Sequence, residues 1–539
     1  MARTPSRNFL SHAKLIGVIT LGSRLLGLGR EVLAAAAFGA GPVWSAFTFA
    51  FTIPNLFRKL FGEGALSAAF IPLYARGLEA SEKADDNRRF AQGSVNLLVV
   101  MLTAIVLVGE VGLGIAWLSG IERSDYRLAV VLTAIMLPYV VLICGAAFLG
   151  GILNVHEKFA APAAASVLLN LCLIVAIVGG AFAFDLSNDA GRTAATKWLA
   201  LAVVISGVLQ VAMLLPGLRS VGFGFDPRAP MLTPATKKML ALSLPVALSA
   251  GVLQISVLLD KGIAFFLAAP EGVAPGGLFP MLAGAAARLS WAQFLYQFPL
   301  GVFAIALATA IFPKLSRDAA QNDGKNDAFR DGLRRGIEAA LYIGLPASAG
   351  LVLVSTDATR VLFERGLFTP SDTRLTAMSV AVYSAAVWAF SVQQILNRAY
   401  YALHDTRTPL VWSAINLGLN VLIELPLLWL LPRPWGEVGM AAGTLVSFSI
   451  QAFAMTWLLS RRLDGIGLRR SLRPVGVMLL ATAAMVAACL LLRLLPWWPE
   501  GASTTASALR LGAVMVVGAG IYFAMTRVSE IAKTQRRKG

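Results

Sequence analysis

The chain has 539 residues, is 57% hydrophobic and only 14% charged, and its mean hydropathy is +0.72. A water-soluble protein carries about 25% charged residues, so a soluble globular fold is excluded. The formal net charge of +17 would suit a nucleic-acid partner only if it were gathered on one face, and its distribution decides against that.

Apolar runs long enough to cross a ~30 Å hydrocarbon core recur along the whole length. In chain order they are 14–38, 42–61, 91–119, 126–154, 160–184, 194–216, 239–268, 283–312, 336–356, 374–402, 408–431, 437–460, 474–495 and 508–526. The expectation is an all-α integral membrane protein of about fourteen transmembrane helices. With the N-terminus in the cytoplasm, the inside loops hold Arg58, Lys59, Arg76, Lys83, Arg88, Arg89, Arg219, Arg228, Lys237 and Lys238. Lys314, Arg317, Lys325, Arg330, Arg334, Arg335, Arg461, Arg462, Arg469, Arg470, Arg473 and the basic tail after Lys533 also fall inside. The outside loops carry few, such as Arg123, Arg192, Arg360, Arg365 and Arg433. This positive-inside bias puts both termini in the cytoplasm and implies an even number of spans. The basicity is topological, and no nucleic-acid partner is expected.

The first two spans hold the oddity of the chain. Arg24, Arg30 and Glu31 sit inside the first, and Arg58, Lys59 and Glu63 close the second. A charge at the centre of a spanning helix costs about 2.5–3.5 kcal/mol on insertion scales. Arg24 and Arg30 are separated by about 9 Å of helical rise, so both cannot snorkel to one interface. Gly22, Gly27 and Gly29 loosen the same stretch. The segment therefore faces protein or water, and its positive charge meets something negative. The plainer alternative is a set of buried ion pairs with Glu31 and Asp260. Because Arg24 and Arg30 interrupt the first apolar run, no cleavable signal peptide is expected.

Further along, the seventh span carries Asp260 and Lys261, and the eighth carries Arg288. Gln393, Gln394 and Asn397 in the tenth read as interhelical hydrogen-bonding groups. Pro54, Pro138, Pro245, Pro299, Pro346 and Pro426 are candidate kinks. Cys144, Cys172 and Cys489 read as small core residues, and His12, His156 and His404 are too scattered for a metal site. Pro496-Trp497-Trp498-Pro499, between the last two spans, reads as an interfacial anchor.

The chain also repeats itself. Ala69-Phe70-Ile71-Pro72-Leu73-Tyr74-Ala75-Arg76 matches Ala310-Ile311-Phe312-Pro313-Lys314-Leu315-Ser316-Arg317. Ile152-Leu153-Asn154 with Pro162 and Asn170-Leu171 matches Ile395-Leu396-Asn397 with Pro409 and Asn416-Leu417. Both pairs are offset by roughly 240 residues, which implies a unit of six helices. Two such units enter from the same face and flank a midplane site, as in transporters built from parallel repeats. The expected organisation is an N-lobe over 1–219, a C-lobe over 220–462, and two further helices with a basic tail over 463–539.

SRLLGLGRE at 23–31, FGAG at 38–41, IPNLFRKLFGEGALSAAFIP at 53–72, YQFPLGVFAIALATAIFPKLSR at 296–317, FERGLFT at 363–369 and NRAYYALHDTRTP at 397–409 resemble the MurJ/MviN family. That family comprises peptidoglycan lipid II flippases of the multidrug/oligosaccharidyl-lipid/polysaccharide exporter superfamily. The resemblance covers essentially the whole chain. It implies fourteen helices in two six-helix lobes plus two, a cationic central cavity, and a groove beside the extra pair for a lipid tail. It implies as substrate lipid II or a similar polyprenyl-pyrophosphate lipid, with membrane lipids and the cell-wall synthesis machinery as partners. The bacterial cytoplasmic membrane is the implied location, and no cofactor or metal is expected. The family's essential arginines fall on Arg24, Arg30 and Arg58: the first two would hold the pyrophosphate, and Arg58 would capture it from the inner leaflet. Glu31 would orient an arginine, with Glu63, Ser45, Asp260, Lys261, Arg288 and Gln297 in supporting or gating roles. Four positions depart from the family pattern. Ser45 replaces a cavity carboxylate, Phe294 an arginine, and Gln293 and Gln297 acidic positions, so the second lobe's charge is thinned and Arg288 or Lys261 is left as a substitute cation.

Two other classes stand beside the flippase. One is an exporter of another polyprenyl-pyrophosphate glycan or of a cationic drug, the latter disfavoured by an arginine-rich cavity. The other is a membrane enzyme acting on lipid phosphates, against which there is no paired-aspartate cluster, no paired histidines and no long polar loop. No nucleotide-binding motif is present, so ATP hydrolysis by this chain is not expected.

Overall fold

The computed structural model describes the backbone of residues 7–62, 65–79, 84–320, 324, 326–495, 498–499 and 501–536. Side chains of residues 7–16, 62, 65–68, 79, 84, 245, 248–250, 253, 302 and 528–536 lie outside the description. The chain forms two compact units, Met1–Phe266 with Pro270–Gly272, and Leu267–Ala269 with Val273–Gly539.

The first unit holds α1 (Arg7–Phe38), α2 (Pro42–Phe57) with a π-helical turn over Arg58–Gly62, α3 (Ala65–Glu79), α4 (Ala84–Leu118), α5 (Ser124–Met136), α6 (Tyr139–Val155), α7 (Ala160–Ala183), α8 (Asp189–Ser220) and α9 (Pro234–Phe266). The second holds α10 (Ala285–Pro299) with a π-helical turn over Leu300–Ala304, α11 (Ile305–Ala319), α12 (Asp327–Phe363), α13 (Pro370–Ala385), α14 (Val387–Ala402), α15 (Arg407–Leu430), α16 (Gly436–Arg462), α17 (Leu468–Leu492) and α18 (Thr504–Arg536). Three helices, α8, α12 and α13, start where a side chain supplies an acceptor for an orphan backbone donor. Asn188 accepts from Gly191 N at 2.8 Å, Asn326 from Phe329 N at 2.8 Å, and Thr369 and Asp372 form a capping box.

Among the described residues, α4, α7, α8, α12, α15, α16, α17 and α18 are each long and apolar enough to cross a membrane, and the bent pairs α5–α6 and α13–α14 bring the number to ten. This is an all-α, multi-pass membrane protein, with fewer self-sufficient spans than the fourteen expected. The other four windows fall on helices of another character. Those at 42–61 and 283–312 are interrupted by π-helical turns, and those at 14–38 and 239–268 carry Arg24, Arg30 and Glu31 and Asp260 and Lys261. The outer faces are apolar, as hydrocarbon requires: along α4, Val108 is 73% exposed and Leu118 84%. In water such a surface would aggregate.

The prolines act unequally. Pro138 sits at the 41° break between α5 and α6, Pro299 directly precedes one π-helical turn and Pro54 lies in the last turn of α2 before the other, whereas α12 and α15 run through Pro346 and Pro426. The 42° break between α13 and α14 has no proline. There the Trp388 N–H, freed at the break, donates to Ser348 Oγ of α12 at 3.0 Å, which supplies the partner that hydrocarbon cannot.

Within the first unit α7 packs on α1 and α8, and α9 packs on α2 and α3, although the sequence repeat places α9 at the head of the second half. In the second unit a core built on Phe329, Leu333, Ile395, Tyr400, Met455 and Leu459 joins α12, α14 and α16. The last hairpin docks on α12 through Val354, Ala481, Met485, Cys489, Val514 and Tyr522. Trp498 packs against this cluster; Pro496 and Trp497 lie outside the described residues. Of the three cysteines, Cys144 and Cys489 are buried as expected and Cys172 is part-exposed.

The dock is pinned by Arg510, whose Nε and Nη2 donate to Asp357 Oδ1 at 2.9 and 2.7 Å and whose Nη1 donates to the Pro499 and Gly501 carbonyls. Both side chains are 13% exposed, so Arg510→Ala leaves a nearly buried carboxylate without its cation. The expected loss is about 1–3 kcal/mol. It should appear as faster proteolysis of the 493–503 connection and faster amide exchange along α18, with α12 itself protected as in the wild type.

Candidate functional site

One charged residue of the first span, Arg30, and one from the end of the second, Arg58, meet at one cavity inside the first unit. It encloses about 690 Å³ and is walled by α1, α2 and its π-helical turn, α3, α6, α7 and α8. Arg30 and Arg58 both line it, together with Thr20, Asn55, Asn154, Asn170 and Gln210. A pocket with two guanidinium groups and several amides among apolar helices is a place for an anion with sugar-like or peptide-like polar groups attached.

Each arginine is aimed by a neighbour. Arg30 Nη2 pairs with Glu31, and its Nη1 donates to Asn170 Oδ1 at 3.1 Å. Arg58 stands on the π-helical turn, and its Nε and Nη2 both donate to Asn55 Oδ1 one turn earlier, at 3.1 and 3.0 Å. A π-helical turn widens the coil by one residue, so it re-aims the side chain relative to a regular helix. Lys261, buried on α9, is within electrostatic reach of Glu31 and of its neighbour Asp260. Arg30, Glu31, Lys261 and Asp260 thus form one charged group drawn from α1 and α9.

The other expected residues are placed as follows. Arg24 is exposed on α1, is absent from the cavity wall, and makes no ion pair or hydrogen bond among the described residues. Ser45 is buried on α2. Glu63 lies outside the described residues. Gln297 is exposed, Phe294 is part-buried, and Gln293 donates to Tyr383 Oη at 3.5 Å.

Arg288 belongs to a different setting, inside the second unit. Its side chain is 4% exposed, and its Nε donates to Glu437 Oε1 and Oε2 at 3.1 and 2.9 Å. Nη2 pairs with Glu437 and donates to the Leu282 carbonyl, and Nη1 is 3.7 Å from Asp372, the same carboxylate that caps α13. The guanidinium ties α10 to α13 and α16 and is saturated by two acids. Glu437 and Asp372 were not singled out in the sequence, because an acid at a helix start reads as a cap.

Asn170, Asn55 and Gln210 were missed as site residues too. The available signal was polarity within apolar spans, and Asn170 had stood out only as one member of a repeat match. A second, almost wholly apolar crevice of about 290 Å³ lies between α12, α14, α16 and α17, with Trp388, Phe453, Leu468 and Leu472 on its walls and Glu338 at its edge.

A family model described as lipid II flippase MurJ matches residues 34–506. The chain belongs to that family. Family members are transporters rather than enzymes. A "Probable lipid II flippase MurJ" of Rhizobium tropici is 33% identical over 517 residues, covering 94% of this chain and 92% of that one. Its namesake from Rhizobium meliloti (strain 1021) is 36% identical over 418 residues, 76% of this chain and 74% of that one. Among solved structures, a lipid II flippase MurJ in an inward closed conformation superposes with a TM-score of 0.75 at 21% identity, over 96% of this chain and 99% of that one. An inward-facing multidrug resistance MATE family transporter of the MOP superfamily gives 0.66 at 14% identity, over 84% and 98%. At these identities the two superpositions speak for the fold, and the family rests on the sequence matches.

Proposed function

We propose that this protein moves lipid II, an undecaprenyl-pyrophosphate carrying a disaccharide-pentapeptide, from the inner to the outer leaflet of the bacterial cytoplasmic membrane by alternating access. The observation that carries the reading is the pair Arg30 and Arg58 on the wall of one 690 Å³ cavity in a member of a flippase family. A pyrophosphate brings two or more negative charges into hydrocarbon. Forked guanidinium donors match its oxygens, and the low local dielectric strengthens the attraction. Arg24 and Arg30 hold the pyrophosphate, and Arg58 receives it from the inner leaflet. The absence of a protein partner for Arg24 among the described residues is consistent with its serving a ligand. Glu31, Asp260 and Lys261 set the charge balance beside Arg30, and the apolar crevice against α17 suits part of a polyprenyl tail.

The same reading includes fourteen crossings with both termini in the cytoplasm, an N-lobe at 1–219, a C-lobe at 220–462, two accessory helices after 463, and contact with the cell-wall synthesis machinery. Ser45, Gln293, Phe294 and Gln297, which depart from the family pattern, bear on gating and coupling more than on the substrate class; the second reading is the export of another polyprenyl-pyrophosphate glycan. A lipid II accessibility assay decides between them. Depleting the protein should leave lipid II shielded on the cytoplasmic side and stop peptidoglycan synthesis. Continued outward exposure of lipid II on depletion would eliminate the first reading.

A further inference from the structure

The two π-helical turns recur with the repeat. Arg58–Gly62 and Leu300–Ala304 are offset by the same roughly 240 residues as the sequence matches. The bends between α5 and α6, 41°, and between α13 and α14, 42°, also fall at matching places. In the first unit the turn packs on α6, just past its bend, and in the second the turn packs on α14, just past its own. Each half therefore carries the same joint, a π-helical turn set against the helix that follows a break.

Local sequence does not account for the recurrence. The first turn reads Arg-Lys-Leu-Phe-Gly and the second Leu-Gly-Val-Phe-Ala. One bend has Pro138 and the other has no proline. A π-helical turn holds one residue more than a regular α-helix, and such turns are rare and concentrated at functional sites. Two unlike pentapeptides take it at one point of the repeat, so the shape itself is what the two halves share. Hydrocarbon gives a reason for this shape. A break strands backbone donors, as at Trp388, which needs Ser348 of another helix. The π-helical turn keeps its donors paired five residues back, as Ile305 N–H is with the Leu300 carbonyl. The first turn has a further anchor at its head, where Cys144 Sγ of α6 donates to the Phe57 carbonyl at 3.4 Å.

We propose that the two turns are matched hinges of the transport cycle, each passing its extra residue along the helix. When the hydrogen bonds shift by one residue the bulge moves on, and every residue it passes turns by about 100° and shifts by about 1.5 Å. Each amide exchanges one partner for the next, so the helix changes register without exposing its backbone. Arg58 heads the first turn, and its guanidinium is held by Asn55 of α2. Migration of the bulge into the last turn of α2 sets it between Asn55 and Arg58, and Arg58 swings off Asn55. The cavity wall changes with it, since Phe51 and Asn55 of α2 and Ile71 of α3 all belong to that wall. In the second turn the same step re-aims Phe303, which is half exposed. Pro54 and Pro299 each remove an amide donor from the helix beside a hinge, which eases the shift.

This inference rests on the proposed alternating access, and the test separates the two. Removing one residue from a π-helical turn takes away the bulge and leaves the flanking helices in their present register. Removing one from a regular stretch turns the flanks against each other. Full-length variants lacking Leu60, Gly301, or Ala292 in the regular part of α10 are compared with the wild type. The readouts are Tm in detergent, lipid II accessibility in a depleted strain, and amide hydrogen exchange in nanodiscs. The Leu60 and Gly301 deletions should keep a Tm close to the wild type yet flip lipid II at least about tenfold more slowly, whereas the Ala292 deletion should fail to fold. In the wild type, amides of both turns should exchange on the order of tenfold faster than those one turn to either side, and each deletion should abolish the difference at its own turn. Exchange involves no substrate, so it judges the hinges whatever lipid is carried; failure of the wild type to expose lipid II would strike the transport reading alone. Turn amides no faster than their neighbours, or full flipping by a stably folded Gly301 deletion, would overturn the inference. A Gly301 deletion as unstable as the Ala292 deletion would overturn it too, because the turn would then be fixed packing.

Discussion

Replacing Arg30 by alanine is expected to abolish flipping while leaving the protein inserted in the membrane at a normal level. Arg30 is the cavity guanidinium that α1 delivers, 21% exposed and oriented from two sides by Glu31 and Asn170. A hydrogen bond to a charged group contributes about 1.5–3 kcal/mol, so loss of a forked pair to pyrophosphate reduces affinity on the order of 100-fold or more. Insertion should not suffer, because removing an arginine from an apolar segment lowers the cost of placing it in hydrocarbon. Arg30→Lys should retain a fraction of the activity: the charge remains and the fork does not. Arg24→Ala is expected to abolish transport as well, and Arg58→Ala to slow capture from the inner leaflet. The measurements are complementation of a flippase-depleted strain, lipid II accessibility, and quantity in the membrane fraction. Full complementation by Arg30→Ala at wild-type abundance would count decisively against the site.

The second large effect is on stability and concerns Arg288. Arg288→Ala should destabilise the protein by about 3–5 kcal/mol, because it strands Glu437, whose side chain is 2% exposed, as a buried charge without its partner. Asp372 would lose a neighbouring cation in the same step, although its capping bonds with Thr369 would remain. A buried ion pair can often be exchanged for apolar residues of similar volume at little cost. Arg288→Met combined with Glu437→Leu should therefore recover most of the thermal stability lost in the single variant. Transport provides the independent reading. If Arg288 is a tie between α10, α13 and α16, the double variant should flip substrate at close to the wild-type rate. A stable double variant with no transport would instead make Arg288 the substitute cation for the position occupied by Phe294.

Both outcomes bear on what a buried arginine in such a chain signifies. Arg30 and Arg288 look alike in the sequence in one respect, each a cation in an apolar helix. Arg30 has its acid next door at Glu31 and a cavity in front of it, whereas the acids of Arg288 are drawn from helices far along the chain. Residue type and span position could raise the question of a functional charge at both places. They could answer it at neither.

Much was nonetheless legible in one dimension. The membrane setting and the helical class follow from composition and run length, because every backbone group in hydrocarbon must be satisfied within its own helix. The family was legible in SRLLGLGRE and in the long IPNLFRKLFGEGALSAAFIP block. That Arg30 and Arg58 need a polar environment followed from the cost of placing charge in an apolar span, and both line one cavity. Breaks were only partly visible: Pro138 announces one bend, while the bend between α13 and α14 depends on Ser348 of another helix receiving the Trp388 N–H. Among the described residues the self-sufficient spans come to eight, or ten with the bent pairs, because π-helical turns and charged stretches occupy the remaining windows.

The sequence by itself determined the medium, the secondary structure, the family, and which cations had to find a polar environment, since each of these depends on local hydrophobicity, spacing and motif. Only the tertiary structure decided which partner each cation found: Asn170 and Glu31 for Arg30, Asn55 for Arg58, and Glu437 with Asp372 for Arg288. Electrostatic and hydrogen-bonding partners are set by distance in space, which falls off over a few ångströms and bears no fixed relation to distance along the chain.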